Sequence, residues 1–367
     1  IEDLAQTKVA ADHKFPVQLT GTLLFNTFWN GSYSGDQLNP VAAALTAGTP
    51  SFGGSFRQST LGLKFQGPSI FAGGQVNGSL YMDFFAGTGT SLNQLMRVRV
   101  ATIDLDWRRT TISFAHDKPI MAPREPASLA QVGISPLTAA GNLWLWQPQI
   151  RFEQRFLFGD TAGLRAQAGV YQTSESTVGV PAEYLSTFHR SRPGLQGRFE
   201  FWKDFSNGGR IEIAPGFHVS NSKVEDDSLP SRIYAVDWLF RPVRRLDLTG
   251  QWFAGENVGT VGGIRPSLSF FPDGSERTVR ARGGWAQLTW RLNQRAWFNF
   301  YGGQQSNRAS DLLLGAINRN RAYAGNFMYR FGSNVVAAVE ASQVRTNYLG
   351  SGIRLVPHYD LAIAYMF

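Results

Sequence analysis

The chain has no cysteine, which removes disulfides, thiolate metal ligands and cysteine nucleophiles together. Charge is sparse: 17% of the 367 residues are charged against 43% hydrophobic, a composition unlike that of an ordinary soluble enzyme. No apolar run reaches the roughly 18 residues that a membrane-crossing helix requires. Between Phe15 and the C-terminus there is no linker, long charge block or low-complexity tract, so one large domain is expected. No signal peptide is visible at Ile1, and an exported protein would be present here in mature form or as a fragment. The balance of 35 Lys+Arg over 27 Asp+Glu suggests anionic partners, but no basic helix or recognised motif supports nucleic-acid binding.

What the chain does have is alternation. From His358 to Phe367 one face carries Tyr359, Leu361, Ile363, Tyr365 and Phe367, and the other His358, Asp360, Ala362, Ala364 and Met366. This is the period of a β-strand, common to a sandwich over a protein core and a barrel in a membrane. Segments of this kind cover 17–28, 57–66, 71–85, 97–106, 109–116, 147–156, 162–172, 195–203, 210–219, 231–240, 245–253, 280–290, 295–304, 321–330, 334–344 and 357–367. That is about sixteen strands, each near the roughly ten residues that cross a bilayer when tilted.

Connection lengths decide between the two architectures. Those after even strands are tight: Gly67-Pro68-Ser69, Asp204 to Gly209, Arg241 to Arg244, Leu292 to Gln294 and Gly332-Ser333. Those after odd strands are mostly long: 30–56, 117–146, 173–194, 254–279 and 305–320. A sandwich gives no reason for this sorting, whereas a barrel in the bacterial outer membrane has short periplasmic turns and long extracellular loops. The expected fold is therefore all-β, a transmembrane antiparallel up-and-down barrel over 17–367, preceded by an N-terminal periplasmic extension over 1–16. Trp29, Phe84, Phe85, Trp107, Trp202, Trp238, Phe240, Trp252, Trp290, Phe331, Tyr365 and Phe367, near predicted strand ends, would form its interfacial girdles.

The lipid-facing parity must be apolar, because a mid-membrane charge there costs roughly 2–4 kcal/mol. This sends the polar parity to the lumen: Lys64, Asp83, Asp104, Asp106, Arg151, Glu153, Arg155, Arg165, Arg198, Glu200, Arg210, Glu212, Asp247, Arg295, Asn299, Arg330, Glu340 and Asp360. About sixteen strands enclose a lumen too wide for side chains to fill, so a water channel is expected. Strands six to nine carry Arg151, Arg155, Arg165, Arg198 and Arg210 against only three acids, Glu153, Glu200 and Glu212. Either this wall is net basic, or the acids neutralise it and it simply lines a wet pore.

Asp117 to Trp146 is long and mostly uncharged, with Pro119, Pro123, Pro126 and Pro136 and only Arg124 and Glu125 charged in its centre. It is expected to fold inward with Arg124 beside the narrowest point, where guanidinium groups bind carboxylate or phosphate in bidentate fashion. Arg97 and Arg99 share parity with Ile103, Leu105 and Trp107, so either a bulge flips the register or both lie above the membrane. Arg280 and Arg282 pose the same question. Such pairs could serve an anion-attracting vestibule or bind lipid phosphates from an outward-facing set.

Other functions are less well supported. A barrel-wall hydrolase needs a positioned Ser, His and Asn or Asp. Of the five histidines, His116 and His189 lie at the upper end without a recognisable signature. Glu225-Asp226-Asp227 is the one acidic cluster, and it reads as a solvated turn rather than a Ca²⁺ site. Gly53-Gly54 and Gly73-Gly74 lack the strand-turn-helix setting of phosphate loops. A structural barrel that scaffolds an envelope complex is the remaining alternative. No catalytic group, metal or cofactor is expected.

The sequence resembles the outer-membrane general porins, and more narrowly the DcaP-like trimeric porins. The resemblance rests on the strand count, the terminal Tyr-x-Leu-x-Ile-x-x-x-Phe of Tyr359 to Phe367, the inward third loop and the stretch Arg57 to Phe65. It implies a homotrimer, contact with outer-membrane lipid and lipopolysaccharide, and passive diffusion of small hydrophilic solutes, with a preference for anions or small carboxylates. Lys64, Arg124, Arg151, Glu153, Arg155, Arg165, Arg198, Glu200 and Arg210 are the candidate pore-lining or constriction residues. Family members also carry a periplasmic N-terminal coiled-coil segment. Ile1 to Lys14, with Ile1, Leu4 and Val9 apolar, is too short for sustained heptads.

Overall fold

The structure is a computed structural model in which residues 17–87, 94–190 and 192–367 are described. The expected N-terminal extension over 1–16 lies outside the described residues. The strands are β1 (Val17–Asn30), β2 (Ser51–Ser55), β3 (Thr60–Ile70), β4 (Gly74–Ala86), β5 (Leu95–Asp106), β6 (Thr110–Asp117) and β7 (Gln147–Leu157). There follow β8 (Ala162–Gln172), β9 (Pro193–Asp204), β10 (Arg210–Val224), β11 (Asp227–Val243), β12 (Leu246–Glu256), β13 (Leu268–Phe270) and β14 (Glu276–Thr278). The chain ends with β15 (Arg280–Arg291), β16 (Ala296–Asn307), β17 (Ile317–Phe331), β18 (Val335–Tyr348) and β19 (Gly352–Met366). Among the described residues no helix is long and apolar enough to cross a membrane.

All strands except the small β13–β14 hairpin belong to one antiparallel sheet that closes on itself. Closure is between β1 and β19, running from Thr22↔Met366 to Asn30↔His358. It is completed by the Gly21 and Phe367 main chains, which exchange two hydrogen bonds of 2.9 and 3.1 Å. Because β2 and β3 both pair with β1, one above the other, the sheet has sixteen staves and no free edge.

Polarity is inverted relative to a soluble protein. Leu19, Phe152, Ile213, Trp252, Phe300 and Leu361 are exposed on the outer wall, while Arg198, His218, Asp237, Gln251 and Asn320 are fully buried inside. Apolar atoms gain nothing from facing water, so such a wall is stable only against lipid. Trp29, Phe240, Trp252, Trp290, Phe331, Tyr365 and Phe367 are exposed on that wall. Phe85 and Trp202 instead share the inward parity, Phe85 lying 4.7 Å below the Arg57 guanidinium and Trp202 pairing opposite Glu212.

Several predicted boundaries shift, each for a local reason. The second stave is broken: residues 56–59 leave the ladder, with Arg57, Gln58 and Ser59 buried in the lumen, so the expected strand over 57–66 begins at Thr60. The expected turn at Gly67-Pro68-Ser69 is absorbed as a register shift between Gln66 and Ser69. The chain turns instead at Phe71–Gly73, where Ala72 and Gly73 have positive φ, and the next strand starts at 74 rather than 71. The expected loop between 219 and 231 is a tight hairpin at Glu225-Asp226. There β10 and β11 rise above the barrel because Val224 and Leu229 pack with Phe188, Leu268 and Phe270. Finally, β5 bulges at Arg99, since Tyr81 pairs with Val100 but Met82 with Val98. That extra residue turns Arg97 and Arg99 into the lumen, which resolves the parity conflict.

Candidate channel and its inner loop

The loop after β6 runs across the lumen, held by inward-facing side chains from most of the barrel. Its start is fixed where the Ile120 amide donates to Gln196 at 2.6 Å and Met121 packs on Ile233 and Phe253. Arg124 donates to Asp237 at 2.7 Å and also pairs with Glu212. The Ala127 amide donates to Gln287, and the Ser128 hydroxyl to Glu340, at 2.6 and 2.7 Å. Asn26 donates to the Leu129 carbonyl at 2.8 Å. Gln58, from the broken second stave, donates to the Ala130 carbonyl at 2.7 Å and accepts from the Val132 and Gly133 amides at 2.6 and 2.8 Å. The returning half packs Leu137 and Ala140 on Trp285 and Tyr301.

This second contact depends on glycine. A Cβ at Gly141, which has φ +107°, would stand 2.2 Å from the Gly284 carbonyl, and one at Gly303 would stand 2.3 Å from the Ala140 carbonyl. Backbone therefore meets backbone between loop and wall, an approach only glycine allows.

The candidate residues fall on two sides of one question, who is buried. Arg155 donates to Glu153 at 2.8 Å, Arg165 to Glu200 at 2.6 Å, and Arg210 to Asp204 at 2.8 Å and to Glu212. Arg151 stands 3.5 Å from Asp117. Arg198 is different. It lies flat and 0% exposed, donating to Asp237 at 2.7 and 2.8 Å and to Glu200 at 2.6 Å. On β10, Gly216 pairs opposite Arg198 and Ala214 opposite Asp237. A Cβ at Gly216 would stand 3.0 Å from Met121, so this glycine also lets the start of the inner loop approach the wall. Arg198 thus braces the wall and the docked Arg124 rather than meeting the channel. Lys64 stands apart, lining a recess of about 390 Å³ with Gln18, Asn77, Ser79, Thr102 and Asp104.

Counting charges makes this wall close to neutral, but depth does not. Glu153, Glu200, Glu212, Asp237 and Asp247 are 0–10% exposed, whereas Arg155, Arg165, Arg210, Arg241 and Arg291 are 30–50% exposed; Asp204, at 43%, is the exception. The carboxylates lie at the wall and the longer guanidinium stems reach over them into the lumen.

Two groups escaped the sequence reading. Asp237 is the acid that ties Arg124 to Arg198, and its inward parity with Ala235 and Leu239 was readable from the chain. The second group is a knot of three arginines at the extracellular side, two of them paired with Asp83 and the third, Arg57, donating to the Phe85 and Ala86 carbonyls. Arg97 donates to Asp83 at 2.8 Å, and Arg99 stands 3.6 Å from it. Arg57 and Arg97 lie over the Phe85 ring, and Arg97 and Arg99 over Trp146. Nε of Arg57 and Nη1 of Arg99 are buried without an acceptor. The bulge at Arg99 and the break at 56–59 together bring these residues into one place, and nothing in the local pattern locates either. Elsewhere, Glu225 and Asp226 form the β10–β11 hairpin tip, with Asp226 at 3.6 Å from Lys223. Arg280 faces up to Asp311 at 2.6 Å.

A closed sixteen-stave antiparallel barrel, polar inside and apolar outside, crossed by its third long loop, is the fold of the outer-membrane porins. No family model and no curated protein matches the chain in sequence. Among solved structures it is similar to the outer-membrane channel DcaP of Acinetobacter baumannii, with TM-score 0.76 and 17% identity over 96% of this chain and 97% of that one. It is similar to OmpF of Salmonella typhi, with TM-score 0.64 and 11% identity over 97% and 99%. An anion-selective porin from Comamonas acidovorans gives TM-score 0.60 and 11% identity over 96% and 100%. At these identities the likeness establishes the fold.

Proposed function

We propose that the protein is an outer-membrane porin, assembled as a homotrimer, that lets small hydrophilic solutes diffuse passively and favours anions or small carboxylates. The observation that carries this reading is the depth asymmetry of the lumen: carboxylates covered at the wall, guanidinium groups projecting over them. A fixed positive surface in a narrow water-filled passage lowers the energy of an anion and raises that of a cation, and planar guanidinium groups match carboxylate geometry. Arg97, the most exposed of the three arginines near Asp83, would present positive charge to anions at the extracellular mouth. The loop 117–146 would set the width, with Arg124 and Lys118 on its channel side. The trimer rests on the fold likeness.

A channel also accounts for the histidines better than a hydrolase does. His218 meets Ser231 at 3.0 Å, Ser220 at 3.1 Å and Tyr171 at 2.7 Å. The group is fully buried, and among the described residues no carboxylate bonds the ring, so it is closed to a substrate and has no acid to orient it.

The test is reversal potential under a KCl gradient across a planar bilayer. Anion-selective channels whose preference falls in Arg155→Gln/Arg165→Gln and rises in Glu153→Gln are the expected outcome. Cation preference in the unaltered protein, or no conduction at all, would overturn the proposal.

A further inference from the structure

We infer that the outer wall carries a binding site for the phosphate groups of an outer-leaflet glycolipid, built by Arg319 and Arg321 of β17 and Arg345 of β18. The inference rests on the barrel lying in an outer membrane with its long loops outward. All three residues share the lipid-facing parity of their strands, with Tyr323, Phe327 and Phe331 following on β17 and Val339 on β18. They are exposed, and with Asn347 and Ile353 they line a cleft of about 120 Å³.

Their depth is set by the strand. From Tyr323 to Phe331 the outward positions are Tyr, Gly, Phe, Tyr and Phe, a stretch of roughly 26 Å along the strand and about 20 Å of membrane normal at a tilt near 40°. The arginines sit just above that apolar band, at the level of headgroups. Arg282 of β15 shares the lipid-facing parity near the same end of the barrel.

The cluster is unfavourable on its own. Arg321 and Arg345 are directly opposed across the β17–β18 ladder, an arrangement of like charges that destabilises a sheet. Among the described residues none of the three makes an ion pair with a carboxylate. Arg321 is held by Gln304, which accepts from its Nε, leaving its terminal nitrogens free to donate. Converging, preoriented guanidinium groups around a small cleft, at headgroup depth and without a protein anion, are complementary to a phosphate.

The test uses the purified full chain in detergent with native mass spectrometry. The probes are diphosphorylated lipid A, the same lipid dephosphorylated, and inorganic phosphate. The unaltered protein should retain the diphosphorylated lipid and not the dephosphorylated one. Arg319→Gln/Arg321→Gln/Arg345→Gln should bind it on the order of a hundredfold more weakly. The variant should keep the heat-modifiable gel mobility of a folded barrel, since relieving the Arg321–Arg345 opposition does not threaten folding. Equal retention by the variant, or of dephosphorylated lipid, would overturn the inference. So would inorganic phosphate displacing the lipid at equal concentration, which would mark a free-anion site, or loss of the oligomer in lipid-free variant, which would mark a contact between copies. A variant that conducts normally but holds no lipid leaves the channel reading intact, while a chain that never inserts or conducts would remove that reading instead.

Discussion

Gln58 is the narrowest test of the inner loop. Its side chain is buried and makes three hydrogen bonds to the loop, to Ala130, Val132 and Gly133, besides one to Asn26 at 3.0 Å. Gln58→Ala removes all three and leaves two amides and a carbonyl facing a small void. At about 1 kcal/mol for each net bond, the docked state of residues 129–133 loses about 3 kcal/mol, so the ratio of released to docked loop rises by about two orders of magnitude. The change stays local, because Arg124, Ser128 and Asn326 still hold the preceding turn. Two measurements follow. Hydrogen exchange at the Val132 and Gly133 amides should lose about a hundredfold of protection, and single-channel records should show more open-state noise and larger mean conductance. Gln58→Glu, which keeps the accepting oxygens, should fall between. Unchanged exchange together with unchanged conductance would refute the view that this glutamine holds the loop across the lumen.

Arg198→Ala should act on folding, not selectivity: it leaves Asp237 and Glu200 buried without their main partner, a cost of about 3–5 kcal/mol, read as a lower unfolding midpoint on a heat-shift gel. Asp237→Asn should free Arg124, and single-channel conductance should change although position 237 is not itself exposed. Anion preference should shrink between 0.1 M and 1 M KCl, as the screening length falls from about 10 Å to about 3 Å; preference independent of salt would point to size, not charge. In the extracellular loops, the Arg280 hydrogen bonds hold the Asp311 carboxyl below the usual carboxylate range. Its contribution is therefore present above the unfolded-state value near about 3.9 and is lost as pH falls through the lower folded value. Proteolysis of 257–279 should be slow near neutrality and should rise only under strong acid, and Asp311→Asn should raise it at every pH.

Much of the barrel was legible because membrane insertion imposes a rule on every second residue. Phe152, Phe199, Ile211 and Leu246 could be assigned outward from parity alone, and the sorting of connections by length gave the orientation. Parity fails where the ladder is interrupted. The bulge at Arg99 and the break at 56–59 each reassign side chains from one face to the other. Both are maintained by contacts with a loop some 40 to 75 residues away in sequence, Arg97 with Gly133 and Gln58 with Ala130 to Gly133. Local pattern contains no trace of such partners. The tall β10–β11 hairpin was hidden for a different reason: its upper half packs on Phe188 and the β13–β14 hairpin, so inward positions there are serine, valine and leucine rather than the charged residues that mark the lumen below.

The charge of the wall was the least legible feature, and the reason is geometric. Sequence gives the number of charges on a face, but a solute responds to their distance. An arginine extends several ångströms farther from its strand than an aspartate or glutamate on the neighbouring one, so an equal number of each forms a dipole layer with its positive side toward the water. Whether the layer forms depends on what flanks it. Arg198, bonded to both Asp237 and Glu200, lies down and is lost to the channel. Arg155 and Arg165 have Glu153 and Glu200 beneath them and must stand. Replacing Gly216 with a bulkier residue should act on the inner loop rather than on Arg198, since a Cβ there would stand 3.0 Å from Met121. The expected signature is an altered single-channel conductance with anion preference kept, because the guanidinium stays on Asp237 and Glu200. A changed preference with unaltered conductance would mean that the added side chain moves Arg198 and not the loop.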